Sequence, residues 1–206
     1  MPRPAKAPRE DMIEKVLDAA ERAARAGGLR AIGMRRIASE IGYVAGSIYN
    51  TLGDLDEVIL RLNARTLRRL REHIADRISP GRDAASNAFA VADAYLDFVA
   101  ADPLVWSLIL EHSTPGREFP DWYQHELSQT TGLVDEVLKP LIPDPAERRA
   151  SVAILWAALH GLASLSSTGK LAVINGANPR GMAHLLIARF LGISGVDQPP
   201  KTRRKT

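Results

Sequence analysis

Helical spacing of apolar residues, interrupted by glycine and proline, is the feature that most constrains how this chain can fold. Between Arg9 and Ala26 the apolar residues follow one another at steps of one and three, which places them along one face of an α-helix. Gly27 and Gly28 end that pattern, as glycine does at helix C-termini. No run that alternates apolar and polar residues is long enough to predict a β-strand. The sequence therefore predicts an all-α protein.

The same reasoning predicts about nine helices. They span residues 9–26, 34–41, 45–51, 54–78, 83–101, 103–111, 120–138, 145–168 and 179–191. Asp54, with Glu57 three residues later, predicts a capping box at the start of the fourth helix. Proline follows a capping residue at Asp102, Asp144 and Asn178, and proline is favoured in the first turn of a helix. We expect residues 1–8 to be a flexible basic arm and residues 195–206 a disordered basic tail.

Charge is distributed unevenly along the chain, although the formal net charge is only +3. Residues 1–82 contain 16 Lys and Arg against 11 Asp and Glu, whereas residues 83–196 contain 7 against 12. A basic part followed by an acidic part indicates an anionic partner for the basic one. The chain has no cysteine, which excludes disulfides and thiolate metal sites. No apolar signal sequence follows the N-terminal charges, so we expect a cytoplasmic protein.

Residues 34–53 have the spacing of a helix-turn-helix. Ala38 is small where two helices would cross, and Gly42 supplies a turn in which a positive φ is cheap only for glycine. Ile37, Ile41 and Ile48 would form the small core beneath them. The alternative interpretation is an ordinary helical hairpin with a polar solvent face. The residues expected to contact DNA from the major groove side are Arg35, Arg36, Ala45, Gly46, Ser47, Tyr49, Asn50 and Thr51.

Over residues 9–60 the chain resembles the DNA-binding domain of the TetR family of transcriptional regulators. Ile37-Ala38, Gly42, Gly46 and Ile48-Tyr49 fall in the family's register, whereas Val44 replaces a common serine and Leu55 a common lysine. The resemblance implies that Tyr49 contacts phosphate and that Ser47 and Asn50 are candidate groove readers. It also implies a DNA-binding domain at residues 9–53 and an effector-binding and dimerisation domain at residues 54–194.

Aromatic and histidine side chains outside the first domain indicate an apolar pocket between helices, a common design for ligand sites. The ligand-binding candidates are Tyr95, Trp106, His112, Trp122 and His160, each of which could instead belong to the core. Trp156 followed by His160-Gly161 resembles one type of TetR C-terminal domain, although a packed histidine would give the same pattern. The family resemblance implies a small-molecule effector, and these residues favour an apolar or aromatic one.

The sequence contains no recognisable catalytic motif. It has no G-x-S-x-G turn and no P-loop, and His125-Glu126 is followed by Gln129 where an H-E-x-x-H motif requires histidine. We therefore predict no enzyme activity, no cofactor and no metal site. A nucleophile–base pair or a metal site that is assembled only in the fold stays open as an alternative.

A single short recognition helix buries too little surface for a specific complex, so a homodimer on two-fold-symmetric DNA is expected. Residues 150–169 carry no formal charge and are long enough to span a membrane, but their polar residues favour a buried core helix over a membrane span. Trp156 is predicted to face the subunit's own core. The predicted interface, a four-helix bundle, consists of Val152, Leu155, Leu159, Leu162 and Ser166 with Met182, Leu185, Leu186, Arg189 and Phe190.

Taken together, the sequence predicts a dimeric repressor that a small-molecule effector releases from double-stranded DNA. A ligand-independent helical DNA-binding protein is the main alternative. A sealed core without a cavity would favour it, since such a core leaves no room for an effector. An all-helical enzyme or carrier is the other alternative, and it would require polar side chains clustered in a cleft.

Overall fold

The computed structural model describes residues 8–175 and 178–193, and within them the chain forms ten α-helices and no β-strand. The all-α prediction is confirmed. The helices are α1 (Pro8–Gly27), α2 (Met34–Ile41), α3 (Ala45–Leu52), α4 (Leu55–Ala75), α5 (Ala84–Ala101), α6 (Pro103–Glu111), α7 (Asp121–Leu138), α8 (Pro145–Ser167), α9 (Lys170–Asn175) and α10 (Pro179–Phe190). A 3₁₀ turn at Leu29–Ala31 separates α1 from α2.

Most predicted helix ends agree with the observed ones to within one residue, and three differences are informative. Helix α9 was not expected, because its six residues are too few to show a period. Helix α4 ends at Ala75 rather than at residue 78, since the amide of Arg77 turns back to the carbonyl of Ile74 at 3.0 Å. Pro8, expected in the flexible arm, is the first residue of α1. The rest of the predicted arm, and the predicted tail, lie outside the described residues.

Side chains cap some of the helices as predicted. Asp54 Oδ1 accepts the Glu57 amide at 2.8 Å, but the Glu57 carboxylate pairs with Arg61 at 2.7 Å, so only half of the capping box forms. Of the other three predicted caps, two form and one does not. Asp144 and Asn178 accept amide hydrogen bonds at 2.7 and 2.9 Å, whereas Asp102 caps nothing and pairs with Arg25 at 2.6 Å.

The described part of residues 1–68 packs with residues 102–127 as the first of two compact units. Its core joins α1, α2, α3 and the start of α4 to α6. Val16, Ile37, Ile48 and Leu108 are buried almost completely there. This unit is larger than the segment 9–53 predicted to bind DNA, because α6 completes the core on which the helix-turn-helix rests.

A buried arginine fastens α4 to α1 within this unit. Arg65 is 8% exposed, and its guanidinium lies 2.6 Å from Asp18, 2.8 Å from Glu14 and 3.5 Å from Glu21. The three carboxylates share one face of α1 because they are spaced by four and three residues. A buried arginine without such partners would be strongly destabilising. The cluster therefore makes α1 and the first half of α4 one rigid support for the helix-turn-helix.

The second unit combines residues 69–101 with the described part of residues 128–206. In it α8 packs against α5, α9 and α10. Within the described residues, α8 is the one helix long and apolar enough to cross a membrane, a test that the core helix of a soluble protein also passes. The helix buries Arg148, whose guanidinium pairs with Asp135 at 2.8 Å and donates to two carbonyl groups. The expectation that the protein has no membrane span stays a prediction.

Candidate DNA interface and ligand groove

The turn between α2 and α3 has the geometry that the sequence predicts. Gly42 adopts φ 73°, a left-handed conformation that L-residues with a side chain rarely adopt. The following amide, of Tyr43, donates to the carbonyl of Ala38 at 2.9 Å. Ile37 and Ile48 are 1% and 0% exposed beneath the turn. The buried face of α3 is thereby fixed on α2, and its opposite face points to solvent.

That opposite face of α3 is polar. Tyr49 is 48% exposed and Asn50 is also exposed, so both can reach a partner outside the chain. Ser47 is half-buried. Thr51 is half-buried, and its hydroxyl donates to the Ser47 carbonyl at 2.9 Å, which leaves only its oxygen lone pairs for another contact. Of the predicted groove readers, Asn50 is therefore the most accessible.

The N-terminal end of α3 is open. Ala45 packs partly against the core of the first unit, whereas Gly46 is exposed and a methyl group added there would meet no atom within 4 Å. No described residue therefore requires glycine at residue 46. Val44, which precedes the helix, is 72% exposed and makes no side-chain capping hydrogen bond.

Arginines flank this surface on the neighbouring elements. Arg35 and Arg36 are exposed on α2, and neither forms an ion pair with any residue that the structure describes. By contrast, Arg22 is neutralised by Glu40 at 2.6 Å. Arg9 donates to the carbonyl of Thr51 at 3.3 Å, near the end of α3. Unpaired arginines beside a polar helix face are suited to phosphate groups, which bind cations without regard to base sequence.

The five predicted ligand-binding residues fall into two groups. Tyr95 and His160 lie in the second unit, where the tyrosine hydroxyl and His160 Nδ1 are 3.1 Å apart. Burial lowers the pKa of His160 and so favours its neutral form. Trp106, His112 and Trp122 lie in the first unit.

The three residues of the first unit have different surroundings. Trp106 is only 2% exposed. His112 Nε2 lies 3.0 Å from Asp56 Oδ1, while its buried Nδ1 has no hydrogen-bond partner in the described part of the chain. The Trp122 ring lies under the Arg61 guanidinium, 5.2 Å from its centroid. That these five residues hold a ligand stays a prediction.

A groove of about 520 Å³ lies between α7 and α8 in the second unit. Its lining is mainly apolar and consists of Ser128, Thr131, Gly132, Asp135, Arg148, Arg149, Val152, Ala153 and Trp156. None of the five predicted ligand-binding residues is among them. Arg149 is exposed and forms no ion pair with a described residue, and the Trp156 side chain, expected in the core, is 38% exposed. The groove thus offers an indole, apolar walls and two arginines, of which Arg148 is already paired with Asp135. Of these features, only Trp156 stood out in the sequence.

The predicted interface stripe on α8 requires correction. Val152, Leu155 and Leu159 are each only 6% exposed, because they pack inside their own subunit. Leu162 and Ser166 are half-buried. The exposed face of α8 instead carries Ala150, Ala153, Ile154 and Ala157. On α10, Met182, Leu185 and Leu186 are partly exposed, and Arg189 and Phe190 are exposed, so these predicted residues remain accessible.

Comparison with known proteins identifies the family. Residues 88–190 match the family defined as the C-terminal domain of tetracyclin repressor-like proteins. The chain belongs to the TetR family. The match falls on the helical part beyond the helix-turn-helix, so it is independent of the motif at residues 34–53. No curated protein sequence matches the chain.

Several solved structures share the fold of this chain. A protein of unknown function from Rhodococcus sp. RHA1 gives a TM-score of 0.73 at 17% identity, over 93% of this chain and 98% of its own. A TetR-family transcriptional regulator from Streptomyces coelicolor gives 0.65 at 22% identity, over 87% and 97%. The regulator FadR from Bacillus subtilis, solved with stearoyl-CoA, gives 0.67 at 15% identity, over 89% and 99%. These likenesses establish the fold of TetR-family regulators over most of the chain.

Proposed function

We propose that this TetR-family protein is a cytoplasmic, sequence-specific DNA-binding regulator that represses transcription until a small-molecule effector releases it. The observation that carries the proposal is the surface of α3. Its buried side is locked into the first unit by Ile48 and Leu52, while Tyr49 and Asn50 are exposed, and Arg35 on α2 forms no ion pair with a described residue. A polar helix presented in this way fits the major groove, and flanking arginines fit the phosphates.

The protein acts as a homodimer in this proposal, because two recognition helices are needed for a two-fold-symmetric operator. The exposed face of α8 supports dimerisation. Ile154 is 52% exposed, and the small side chains Ala150, Ala153 and Ala157 beside it would let a partner helix approach closely. With the exposed residues of α10, this face would complete a four-helix bundle between two subunits.

The groove between α7 and α8 is the proposed effector site. Its volume of about 520 Å³ lies in the range of small-molecule sites. Gly132 leaves space on one wall, and Val152 and Trp156 offer apolar contacts. Arg149, which has no ion pair among the described residues, would attract an acidic group. We therefore propose an apolar or aromatic effector that carries a negative charge. The stearoyl-CoA bound to FadR from Bacillus subtilis has this amphipathic, anionic character.

Release from DNA requires that the effector bind the DNA-free state more tightly. A difference of about 1–3 kcal/mol is typical of such coupling and would change operator affinity roughly 5- to 150-fold. An effector that binds both states equally would leave operator occupancy unchanged.

The test has two stages. In the first stage, the full-length protein is used to select sequences from random double-stranded DNA. In the second stage, genomic footprints of the protein are recorded with and without metabolite extract and compared. Asn50→Ala should lose the sequence preference at one base pair, whereas Arg149→Ala should bind the same DNA but respond less to the extract. Failure to enrich any sequence would contradict the DNA-binding function. Identical footprints with and without extract would favour a ligand-independent DNA-binding protein instead.

A further inference from the structure

Val44 is an exposed apolar residue in the middle of a polar surface. Its side chain is 72% exposed, and the residue occupies the N-cap position of α3 with φ −81° and ψ 140°. Serine, threonine, aspartate and asparagine are preferred at this position because their side chains can cap the helix, which valine cannot do. Helix stability therefore does not account for a valine at residue 44.

Packing inside the subunit does not account for it either. Val44 is absent from the apolar core of the first unit, and of its neighbours Gly42 and Gly46 are exposed while Tyr43 is 38% exposed. One isopropyl group is also far smaller than the apolar area of a protein–protein interface. A partner for Val44 must therefore present a small apolar group within polar surroundings.

The position of Val44 indicates which group that is. Its carbonyl accepts the first hydrogen bond of α3, from the amide of Ser47 at 3.0 Å, so the side chain sits at the N-terminal end of the recognition helix. In docked helix-turn-helix proteins this end of the helix contacts base edges. The C5-methyl of thymine is the apolar group that the four bases present in the major groove.

We propose that Val44 contacts a thymine methyl group in each half-site and thereby determines part of the sequence specificity. This inference rests on the proposed DNA-binding function. It adds an apolar contact to the hydrogen-bonding role of Asn50. Because the contact is apolar, it discriminates thymine from a base that lacks the methyl group but has the same hydrogen-bonding pattern.

Deoxyuridine supplies that base. Each thymine of the selected operator is replaced in turn by deoxyuridine, and the affinity of the full-length protein is measured at constant salt. We expect a single replacement, in one half-site, to weaken binding about fourfold, equivalent to the ~0.8 kcal/mol of one buried methyl group. Val44→Ala and Val44→Ser should bind both operators equally. Val173→Ala, which removes the same atoms from a side chain that is 88% exposed on α9, should retain the fourfold difference.

Three results would overturn the inference. A flat deoxyuridine scan with the unaltered protein would show that no thymine methyl is read. A fourfold difference that persists in Val44→Ala would assign the contact to another residue. If no DNA sequence is enriched at all, the proposed function and this inference fail together, whereas an enriched sequence with a flat scan contradicts only the inference.

Discussion

Helices α3 and α8 both bury one apolar face and expose the other, yet the exposed faces differ in chemistry. Helix α3 buries Ile48 and exposes Tyr49 and Asn50, which can form hydrogen bonds. Helix α8 buries Leu159 and exposes Ile154 together with small alanines. The buried face fixes each helix within its own subunit, and the exposed face indicates which kind of partner the helix can bind. A polar face suits base edges and phosphates, whereas an apolar face of small residues suits another helix.

The largest effect should come from placing a charge on the buried face of α8, compared with the same charge on its exposed face. Leu159→Glu would bury a charge inside the subunit and should lower the free energy of unfolding by more than ~3 kcal/mol. Ile154→Glu should change it by only about 0.5 kcal/mol, because the side chain is half-exposed, but should yield a folded monomer. Denaturant unfolding and sedimentation separate the two outcomes. A folded monomeric Leu159→Glu variant beside a dimeric Ile154→Glu variant would restore the interface that the sequence predicted.

The support beneath α3 depends on buried charge. Arg65→Met should lower the free energy of unfolding by about 2–3 kcal/mol, because Glu21 stays buried while Glu14 and Asp18 are half-exposed and remain solvated. Lys15→Met is the matched control, since its pair with Asp11 is exposed on both sides and should contribute little to stability. Chemical denaturation measures both variants. Equal losses would show that the buried cluster does not stabilise the first unit more than a surface pair.

The exposed face of α3 should separate affinity from specificity. Asn50→Ala should lose about 1–3 kcal/mol of discrimination at one base pair. Tyr49→Ala should weaken binding to all sequences, with little change in the salt dependence because tyrosine carries no charge. Titrations on matched and mismatched operators at several salt concentrations measure both effects, with circular dichroism as the folding control. If Asn50→Ala weakens binding equally on every sequence, Asn50 does not read a base.

One substitution made on both faces sharpens the comparison. A methyl group added at Gly46 or at Gly161 would meet no atom of the described residues within 4 Å. Alanine at either position should therefore stabilise its helix by up to about 1 kcal/mol through helix propensity. Gly46→Ala should weaken DNA binding in the dimer, whereas Gly161→Ala should weaken dimerisation. If neither variant loses an interaction, neither glycine makes room for a partner.

The smallest effect concerns pH and the inner side of α8. Burial lowers the pKa of His160 in the folded state, so the unfolded chain takes up the proton first as the pH falls below about 6.5. The free energy of unfolding should therefore decrease on acidification until the folded-state pKa is passed. His160→Gln should remove this decrease below about pH 6.5. An unchanged pH profile would show that His160 is not buried enough to resist protonation.

Local interactions explain which elements could be predicted from the sequence. The turn at Gly42 depends on one residue's conformational freedom, and the capping bonds of Asp54 and Asp144 reach only three residues along the chain. Such features depend only on residues that are close together in the sequence and not on the rest of the fold. Helix α9 is the exception, because Gly169 with φ 71° separates six residues that carry no readable period.

By itself, the amino-acid sequence determined that the chain is helical, where most helices begin, and that residues 34–53 form a helix-turn-helix. The tertiary structure decided which side of α8 is buried, and it placed Tyr95 with His160 in one unit and Trp106 in the other. The physical reason is that a period of three to four residues shows that a helix has an apolar face but not what covers it. A second helix of the same subunit and one of a partner subunit select the same residue types, and only the packed chain distinguishes them.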